Sequence, residues 1–375
     1  MEVLFWLGLA GAVYAYFGYP LILLIWGKLA PRPVRKDSAA QPTVSVILPV
    51  HNEASNLSRR LENLLELDYP EERIEIFIVS DGSTDATLEV SRTFETRDPR
   101  FHVIDIRERG GKANALNAGL LQASNEIVVF TDAGISLEPG AVRSLVAPFS
   151  DPRVGCVSGE DRIDGGGGEA LYGRYELFLR NRESLVGSLV GASGSFYGQR
   201  RELCPRFPEG VAPDFLSVLH VVDMGFRAVS EPHARGTMRA VRAHGDEFKR
   251  KVRTLLRGMT GLFAYARLLN PLRAGSFAFL LFSHKLMRWL VPFCLVLLIV
   301  ANAALLDQTI YQFFAIIHFG FYLIGCAALG GVPWVRESLP GRVAAYFINV
   351  NAAIVVAWWR YLRGARQEIW NPSAR

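Results

Sequence analysis

The chain has 375 residues, a formal net charge of +5, a hydrophobic fraction of 50% and a mean hydropathy of +0.19. The positive mean hydropathy excludes an ordinary soluble enzyme of this length and indicates that part of the chain lies in a membrane. A nucleic-acid-binding face is not indicated, because no aromatic residue lies between the basic residues of the segment Glu247–Arg257. Such a segment is typical of a helix that rests on anionic lipid.

The first predicted element is a membrane helix. Val3–Gly27 carries no charged residue and exceeds the roughly 20 helical residues that cross a bilayer core. A cleaved signal peptide is the alternative, but it needs a basic leader, and only Met1 and Glu2 precede this run. We therefore expect residues 1–28 to form an uncleaved N-terminal anchor.

Four basic residues follow this anchor directly: Lys28, Arg32, Arg35 and Lys36. The positive-inside rule then places the following region in the cytosol and the N-terminus outside. Residues 40–265 have the composition of a globular domain, so we expect one cytosolic domain there.

Three further uncharged runs lie in the last quarter of the chain, at Leu290–Leu306, Gln308–Val335 and Val343–Trp359. They predict interfacial and transmembrane helices over residues 270–362, followed by a basic tail at residues 363–375. Three late spans would place this tail outside, whereas its arginines favour the cytosol. The sequence therefore leaves open whether one late segment lies at the membrane interface.

Four short runs of the globular domain are apolar on both faces and rich in Val, Ile and Phe: Thr43–Val50, Ile74–Ser80, Phe101–Ile106 and Glu126–Thr131. Such runs are typical of parallel strands covered on both sides. Helical patterns separate them, and this alternation predicts an α/β fold with a doubly wound sheet. Ligands of such sheets bind at the carboxyl ends of the strands.

Polar clusters stand at those strand ends: His51–Ala54, Asp81–Asp85 and the segment that opens with Thr131 and Asp132. No G-x-G-x-x-G follows the first strand and no P-loop is present. The run Gly165–Gly168 follows none of the predicted strands and indicates a flexible loop. The sheet edge is therefore predicted to bind an anionic or nucleotide-like ligand without either common phosphate fingerprint.

These segments resemble the membrane-bound family 2 glycosyltransferases of the GT-A fold, which include cellulose, hyaluronan and exopolysaccharide synthases. The motifs occur in the family's order as VSVILPVHNEASNLSRRLENLLELDYP, IVSDGSTDAT, GGKANALNAGL and VVFTDAGISLEPGAV. Later segments, including FSHKLMRW and IWNPSAR, extend the resemblance to about residues 43–375.

The resemblance implies a GT-A domain, a nucleotide-diphospho-sugar transferase fold, between an N-terminal transmembrane helix and a C-terminal transmembrane bundle. It implies an inverting enzyme that moves a sugar from a nucleotide diphosphate sugar, expected to be a UDP-sugar, to a lipid-linked polyprenyl glycan acceptor. The expected setting is exopolysaccharide or cell-envelope assembly at a bacterial inner membrane, with the catalytic domain in the cytosol.

Five residues are expected to bind the donor by this resemblance. Asp81 and Glu53 would contact the nucleoside, and His51, where the family often has Tyr, would stack on the base. Lys112 and Asn117, at the start of a helix, would face the diphosphate. Ordinary structural roles remain open: a turn cap for Asp81, a solvated charge for Lys112 and a helix-surface position for Asn117.

Asp132 matches the first acid of the family's D-x-D motif, which holds Mg²⁺ or Mn²⁺ against the donor diphosphate. Gly134 stands at the second position, so the protein would offer one carboxylate there. A hard divalent cation commonly takes one or two carboxylates, with phosphates and waters as its other ligands. The alternative is that Asp132 only caps a turn.

Asp214 matches the second acid of the family's catalytic pair and is expected to be the base, although Pro213 replaces the first acid. Its alternative role is that of a plain N-terminal helix acid, with Glu160 or Asp161 as the next candidates for the base. Arg253 matches the arginine of Q-x-x-R-W and would neutralise the leaving diphosphate.

The family's tryptophan in that motif is replaced by Thr254, which argues against a long-chain polymerase. A processive polysaccharide synthase therefore remains the alternative to an enzyme that adds one sugar. A catalytically silent scaffold is a third reading, because Gly134 and Pro213 replace two family acids.

Overall fold

The structure is a computed structural model that describes residues 1–164, 168–239 and 244–365. Most of the predicted basic tail, and Gly165–Gly167 of the predicted glycine loop, lie outside the described residues.

A single eight-stranded sheet organises the region after the first helices, here called the sheet domain. Its strands are β1 (Val44–Val50), β2 (Ile74–Asp81), β3 (Phe101–Ile106), β4 (Ile127–Thr131), β5 (Ile135–Leu137), β6 (Val154–Asp164), β7 (Phe196–Arg200) and β8 (Arg227–Arg239). Their spatial order is β3-β2-β1-β4-β7-β6-β8-β5.

The half of the sheet formed by β1 to β4 is parallel, as predicted, and its strands differ from the predicted runs by no more than one residue at either end. The other half corrects the expectation of a purely doubly wound sheet. There, β7 runs antiparallel to β4 and β6, β8 pairs parallel with β6, and β5 runs antiparallel to β8. The described sheet is therefore mixed, and β7 separates its two parallel parts.

The described helices run from the N-terminus to residue 362. They are α1 (Glu2–Val13), α2 (Tyr19–Leu29), α3 (Ala54–Leu65), α4 (Thr87–Arg97), α5 (Gly111–Gln122), α6 (Ala141–Val146), α7 (Gly168–Val186), α8 (Pro213–Asp223), α9 (His244–Ala264), α10 (Pro271–Ala274), α11 (Ser276–Leu281), α12 (Met287–Ala303), α13 (Thr309–Leu329), α14 (Pro333–Glu337) and α15 (Leu339–Leu362).

Both faces of the sheet are covered, because successive side chains of a strand point to opposite faces. On β1, Val46 and Leu48 lie in the core that includes Leu57 and Leu61 of α3. Ile47 faces the other way, into a core that also contains residues of α5, α7, α8 and α11. This second core joins the sheet domain to the apolar helices at both ends of the chain.

Among the described residues, four helical segments are long and apolar enough to cross a membrane: Glu2–Leu29, Ser276–Ala303, Thr309–Leu329 and Leu339–Leu362. One is N-terminal and three form a C-terminal group, as the sequence predicts. The second segment begins at Ser276, whereas the uncharged run begins only at Leu290. The absence of charge is a poor marker here, because Arg288 within this helix is buried and paired with Glu176.

Candidate active site

The centre of the site is an ion pair at the carboxyl end of β4. That strand ends at Thr131, and the amide of Asp132 donates to the carbonyl of Ser195 at 3.1 Å. The Asp132 Oδ1 atom lies 2.5 Å from Nζ of Lys112, which also donates to the carbonyl of Gly194 at 3.1 Å. The side chains of Lys112 and Asp132 are 13% and 29% exposed, so this charge pair is largely withdrawn from water.

Arg60 of α3 holds the end of β4 in place through hydrogen bonds from its guanidinium group. Its guanidinium donates to Thr131 Oγ1 at 2.7 Å, to the carbonyl of Asp132 at 3.2 Å and to Asn63 Oδ1 at 2.6 Å. Burial lowers the pKa of Arg60, and the Asp132 charge opposes that shift. Sequence reasoning missed this residue, although an arginine next to Leu61 within the apolar stripe of α3 was a usable signal.

Asp214 enters the same cleft from another element. It lies in the first turn of α8, whose first residue is Pro213, and proline suits that position because its missing N–H would be unpaired there anyway. A narrow cleft is lined by Lys112, Leu116, Phe130, Thr131, Asp132, Gly194, Tyr197, Pro213 and Asp214. The structure thus places three predicted site residues around one space.

Gly194 keeps that space open. A Cβ atom at this position would lie 3.8 Å from the carboxylate of Asp214, so any larger side chain would fill the cleft in front of that carboxylate. Gly194 also accepts the hydrogen bond from Lys112. The segment before β7 therefore contributes its main chain, and no side chain, to the centre of the site.

Arg257 of α9 adds a cation on the Asp214 side. It donates through Nε and Nη2 to the carbonyl of Val211 at 3.2 and 2.7 Å. Burial lowers the pKa of Arg257, whereas the charges of Asp214 and Asp132 raise it. Both carboxylates are thus within its electrostatic reach. The sequence signal was its place one helical turn after Arg253, on the same side of α9.

Arg253 is half-buried, and burial together with Arg250 lowers its pKa. Its charge also lowers the pKa of Arg257, so the two guanidinium groups are neighbours. Because they repel each other, an anion between them and the cleft would relieve the repulsion. The predicted role of Arg253 in neutralising a diphosphate stays a prediction.

Asp81 ends β2 and is only 1% exposed. Its carboxylate accepts the amides of Gly110 and Gly111 at 2.9 and 2.7 Å, where α5 begins. Asp81 therefore caps the helix that carries Lys112. The structural role expected from the sequence was a different one, a cap on the turn that follows Asp81 itself. His51 is buried beside it and contacts the Asp81 carbonyl through Nδ1 at 2.7 Å.

Glu53 lies in the connection from β1 to α3 and directly precedes α3. Its amide donates to Thr87 Oγ1 at 2.8 Å. Burial raises the pKa of Glu53, Asn56 opposes that shift, and the charges of Asp132 and Asp85 add to it. Glu53 is thus a candidate for a second carboxylate near Asp132. The nucleoside contacts predicted for His51, Glu53 and Asp81 stay predictions.

Asn117 has a structural place. Its amide nitrogen donates to the carbonyl of Phe207 at 2.8 Å, and its oxygen accepts the Phe207 amide at 2.9 Å. Both functional atoms of this side chain therefore hold the loop before α8 against α5. Both polar atoms of Asn117 are thus engaged with Phe207, and Asn117 is not among the residues that line the cleft.

The reserve candidates for the base are engaged elsewhere. Glu160 accepts Asn181 Nδ2 at 2.9 Å, and Asp161 pairs with Arg180 at 3.3 Å. Both contacts hold β6 against α7, and neither carboxylate lines the cleft. Of the three candidates for the base, Asp214 is the one that lines the cleft.

The metal expectation fits the site in a limited sense. Among the described residues, no group of three or more His, Cys, Asp and Glu side chains is arranged to hold an ion. Asp132 offers one carboxylate, and its Oδ1 is paired with Lys112. Such a donor set suits Mg²⁺ or Mn²⁺ only when substrate phosphates and waters complete the coordination. The residue that would hold it is Asp132, with Glu53 nearby.

The arrangement is suited to group transfer from an anionic leaving group. Lys112 and Arg257 provide positive potential for an anion, whereas the first amides of α5 are already bonded to Asp81. Asp214 provides an acceptor for a proton on the opposite side of the cleft.

Comparison with known proteins agrees with this geometry. Residues 45–206 match the family described as glycosyl transferase family 2. Poly-beta-1,6-N-acetyl-D-glucosamine synthase of Staphylococcus epidermidis is 31% identical over 172 residues, which cover 44% of this chain and 40% of that protein. The enzyme of the same name from Staphylococcus aureus is 30% identical over 211 residues, covering 52% and 46%. The matched segments thus span less than half of either relative.

A solved structure covers almost the whole chain. The mannosyltransferase PcManGT from Pyrobaculum calidifontis, in complex with GDP-Man and Mn²⁺, is 26% identical and superposes with a TM-score of 0.78. The similarity covers 97% of this chain and 99% of that one, so it includes the candidate membrane helices as well as the sheet. The resemblance seen in the sequence is confirmed: residues 45–206 match the family 2 glycosyl transferase domain, and the fold is that of the GT-A glycosyltransferases.

Proposed function

We propose that this glycosyltransferase moves one sugar, with inversion, from a nucleotide diphosphate sugar to a lipid-linked acceptor at a bacterial cell membrane, with the sheet domain in the cytosol. The observation that carries the proposal is the cleft shared by Lys112, Asp132 and Asp214. It combines a site for an anionic leaving group with a separate proton acceptor. The apolar helices packed against the same domain supply the route for a lipid-borne acceptor.

Asp214 acts as the base in this proposal. An acceptor hydroxyl oxygen forms a bond to the anomeric carbon while the carboxylate of Asp214 takes the hydroxyl proton. The bond between that carbon and the donor phosphate oxygen breaks, and its electron pair leaves with the nucleoside diphosphate. The attack comes from the side opposite the leaving group, so the configuration is inverted.

Lys112 and Arg257 hold the negative charge that develops on the leaving diphosphate. Both cations are substantially buried, and a water-poor site strengthens their attraction to phosphate oxygens. A divalent cation at Asp132 would supply further charge neutralisation to the diphosphate when bound. Asp81 contributes by holding the start of α5, which positions Lys112.

The donor base and sugar are to be established by experiment. The names of the similar proteins suggest an activated N-acetylglucosamine, from the polymer synthases, and GDP-Man, from the PcManGT complex, as candidate donors. A UDP-sugar is the donor that the sequence motifs predict.

A processive synthase is the second candidate, because the two Staphylococcus relatives are polymer synthases by name. Transfer of a single sugar is favoured here by Thr254, which stands where a polymer synthase of this family presents a tryptophan to the acceptor sugar.

The test uses the full chain purified in detergent, with UDP-N-acetylglucosamine, UDP-glucose and GDP-Man offered separately. Release of nucleoside diphosphate is measured with and without a polyprenyl-phosphate-linked acceptor, and product length is read by mass spectrometry. One added sugar supports the proposal, whereas a ladder of lengths supports the processive candidate. Donor turnover and transfer that stay absent with all donors and metals would favour the silent scaffold.

The Asp214→Asn variant separates catalysis from binding. It retains size and hydrogen bonding but cannot take the proton, so transfer should fall by about 100-fold or more. Donor binding should persist, because Lys112 and Asp132 belong to other elements. Transfer at the parental rate would place the base elsewhere, and loss of donor binding as well would make Asp214 a structural helix residue.

A further inference from the structure

Lys285 is a lysine inside the second candidate membrane segment, on a π-helical turn at Phe282–Leu286 that connects α11 to α12. Turns of this kind occur often at functional sites, because they reorient side chains within a helix. The side chain is partly buried. No described carboxylate lies within ion-pair distance of its ammonium group, whereas the neighbouring Arg288 and Arg180 pair with Glu176 and Asp161.

The acids nearby are already engaged. Glu183, which is fully buried, is bonded to Tyr19 at 2.5 Å, to His284 at 2.6 Å and to the amide of Val190 at 3.0 Å. It thus links the first membrane segment, the second one and the loop that leads to the cleft.

Glu176 completes this polar network. It lies 2.5 Å from Arg288 and 3.1 Å from the second ring nitrogen of His284. Arg180 is taken by Asp161 at 3.3 Å. The acids around Lys285 therefore pair with other residues, and none of them forms an ion pair with Lys285.

The ammonium group of Lys285 points towards the catalytic helix. It lies 5.6 Å from the ring centroid of Phe215, which directly follows Asp214 on α8. On another side is Gly191, where a Cβ atom would be 3.6 Å from Nζ. The absence of a side chain at Gly191 leaves room beside the charge, next to the residue that follows the proposed base.

The position along the helix fits the membrane surface. Ser276–Ala303 has 28 residues and is about 42 Å long, whereas a hydrocarbon core is about 30 Å thick. The first turns, including Phe277 and Leu280, share a core with Leu219 of the sheet domain, so the surplus of about 12 Å lies at this end. Lys285 is nine residues beyond Ser276, about 14 Å along the axis, near the level of lipid phosphates.

We propose that Lys285 binds the phosphate of a phosphate-linked lipid acceptor and so places the acceptor hydroxyl beside Asp214. The inference rests on the proposed function and assigns its acceptor to lipid phosphates that carry a sugar, whose free hydroxyl is the nucleophile. An unpaired ammonium in a half-buried position is costly, and a phosphate oxygen at the headgroup level offsets that cost. Phe215 and Gly191 form the neutral walls of this subsite.

The experiment compares Lys285→Met, Lys285→Arg and the parent in KM for two acceptors: farnesyl-diphosphate-linked N-acetylglucosamine and uncharged octyl N-acetylglucosaminide. Lys285→Met should raise KM for the charged acceptor by about tenfold or more, the scale of one charge-assisted hydrogen bond, and leave the uncharged acceptor within about twofold. Lys285→Arg should restore most of the affinity. Lys28→Met, at the exposed end of α2, is the matched control and should behave as the parent.

Direct binding of farnesyl phosphate against farnesol, measured by thermal shift, keeps the inference testable without turnover. The parent should prefer the phosphate and Lys285→Met should lose that preference. Equal effects on charged and uncharged probes would make Lys285 structural, and weaker donor binding would assign it to the donor diphosphate. Either result overturns the inference. Absence of all transfer with retained phosphate preference would overturn the proposed function alone.

Discussion

Lys112 and Asp132 form a 2.5 Å ion pair in the cleft that Asp214 also lines. The pair joins the start of α5 to the end of β4, so both charges are fixed before any donor arrives. A metal ion at Asp132 must share its carboxylate with this ammonium group. The same ammonium group favours the donor phosphates. Lys112 is therefore expected to act in opposite directions on metal and donor binding.

Lys112→Met tests this opposition. Removal of a cation beside the carboxylate should strengthen Mn²⁺ binding without donor by about three- to tenfold, and donor binding should weaken by about tenfold. Calorimetric titration with Mn²⁺ and then with the active nucleotide sugar measures both. Lys112→Arg is the control that keeps the charge. Asp132→Asn should weaken Mn²⁺ binding. Unchanged Mn²⁺ binding in this variant would show that Asp132 is not a metal ligand.

Arg60 is expected to determine the stability of the β4 end. Arg60→Met removes the donors to Thr131, Asn63 and the Asp132 carbonyl from a side chain that is 2% exposed. Hydrogen bonds from a charged donor contribute about 1.5–3 kcal/mol each, and these losses are not additive, so we expect a loss of about 2–4 kcal/mol. Denaturant unfolding in detergent measures it. The exposed neighbour Arg59, changed to Met, should cost less than about 0.5 kcal/mol.

Asn117 separates a structural role from donor binding. Asn117→Ala leaves the amide and carbonyl of Phe207 without their partners, which should lower stability by about 1–3 kcal/mol. The donor dissociation constant should remain within about twofold of the parent, since the cost of the change lies in folding. Gln122→Ala on the exposed end of α5 is the control. Donor affinity that falls at unchanged stability would return Asn117 to the donor site.

The parallel half of the sheet was predictable because its strands are apolar on both faces. β1 is buried at every position, and a continuous run of that kind is an unambiguous signal. The other half gave weaker signals. β5 has three residues, and β6 carries Glu160, Asp161 and Arg162 within the strand. Their pairing depends on partners far away in sequence, which local patterns do not report.

The helical patterns show a similar limit. On α5 the predicted apolar stripe included Leu116, Leu120 and Leu121, yet Leu116 is 1% exposed and Leu121 is 85% exposed. Small residues such as Ala115 and Gly119 complete the buried face instead, because α5 packs closely against β1 and β2. At Gly119 an added Cβ would lie 2.6 Å from Ile47, which explains why hydrophobicity alone misplaced the stripe.

Within the site, residue types at strand ends were enough to suggest Asp81 and Asp132. The meeting of Asp132, Lys112 and Asp214 depended on the family resemblance, since they come from three separate segments. Arg60 and Arg257 were not predicted because a cation's role depends on what surrounds it. Arg257 donates to the Val211 carbonyl, and burial lowers its pKa while the charges of Asp214 and Asp132 oppose that shift. Neither relationship can be read from the local sequence.

Asp223 gives a prediction for pH. At the last turn of α8 it accepts Arg267 through two hydrogen bonds, at 2.9 and 2.6 Å, and Arg273 through a third at 3.2 Å. The hydrogen bond from Arg267 lowers the pKa of Asp223, and partial burial opposes that shift. Both arginines belong to the connector before the second membrane segment. The contacts therefore tie the helix that begins beside Asp214 to the membrane connector.

Asp223→Asn should lower the unfolding free energy by about 0.5–1.5 kcal/mol at neutral pH, a modest value because both arginines are about half exposed. The sign with pH follows from the lowered pKa. The folded state holds the proton less tightly than the unfolded chain, so the stabilisation is complete above the ordinary aspartate pKa of about 3.9 and is lost as pH falls below it, through the pKa of the folded state. The difference in stability between parent and variant should therefore be constant from neutral pH down to about 5 and narrow below about 4.

Thermal unfolding followed by tryptophan fluorescence measures this difference, with Asp68→Asn as the control, because the Asp68–Arg143 pair is more exposed. A gap that stays constant or widens in acid would show that Asp223 acts through packing, since only a carboxylate whose ionised form is stabilised by the arginines loses its contribution on protonation.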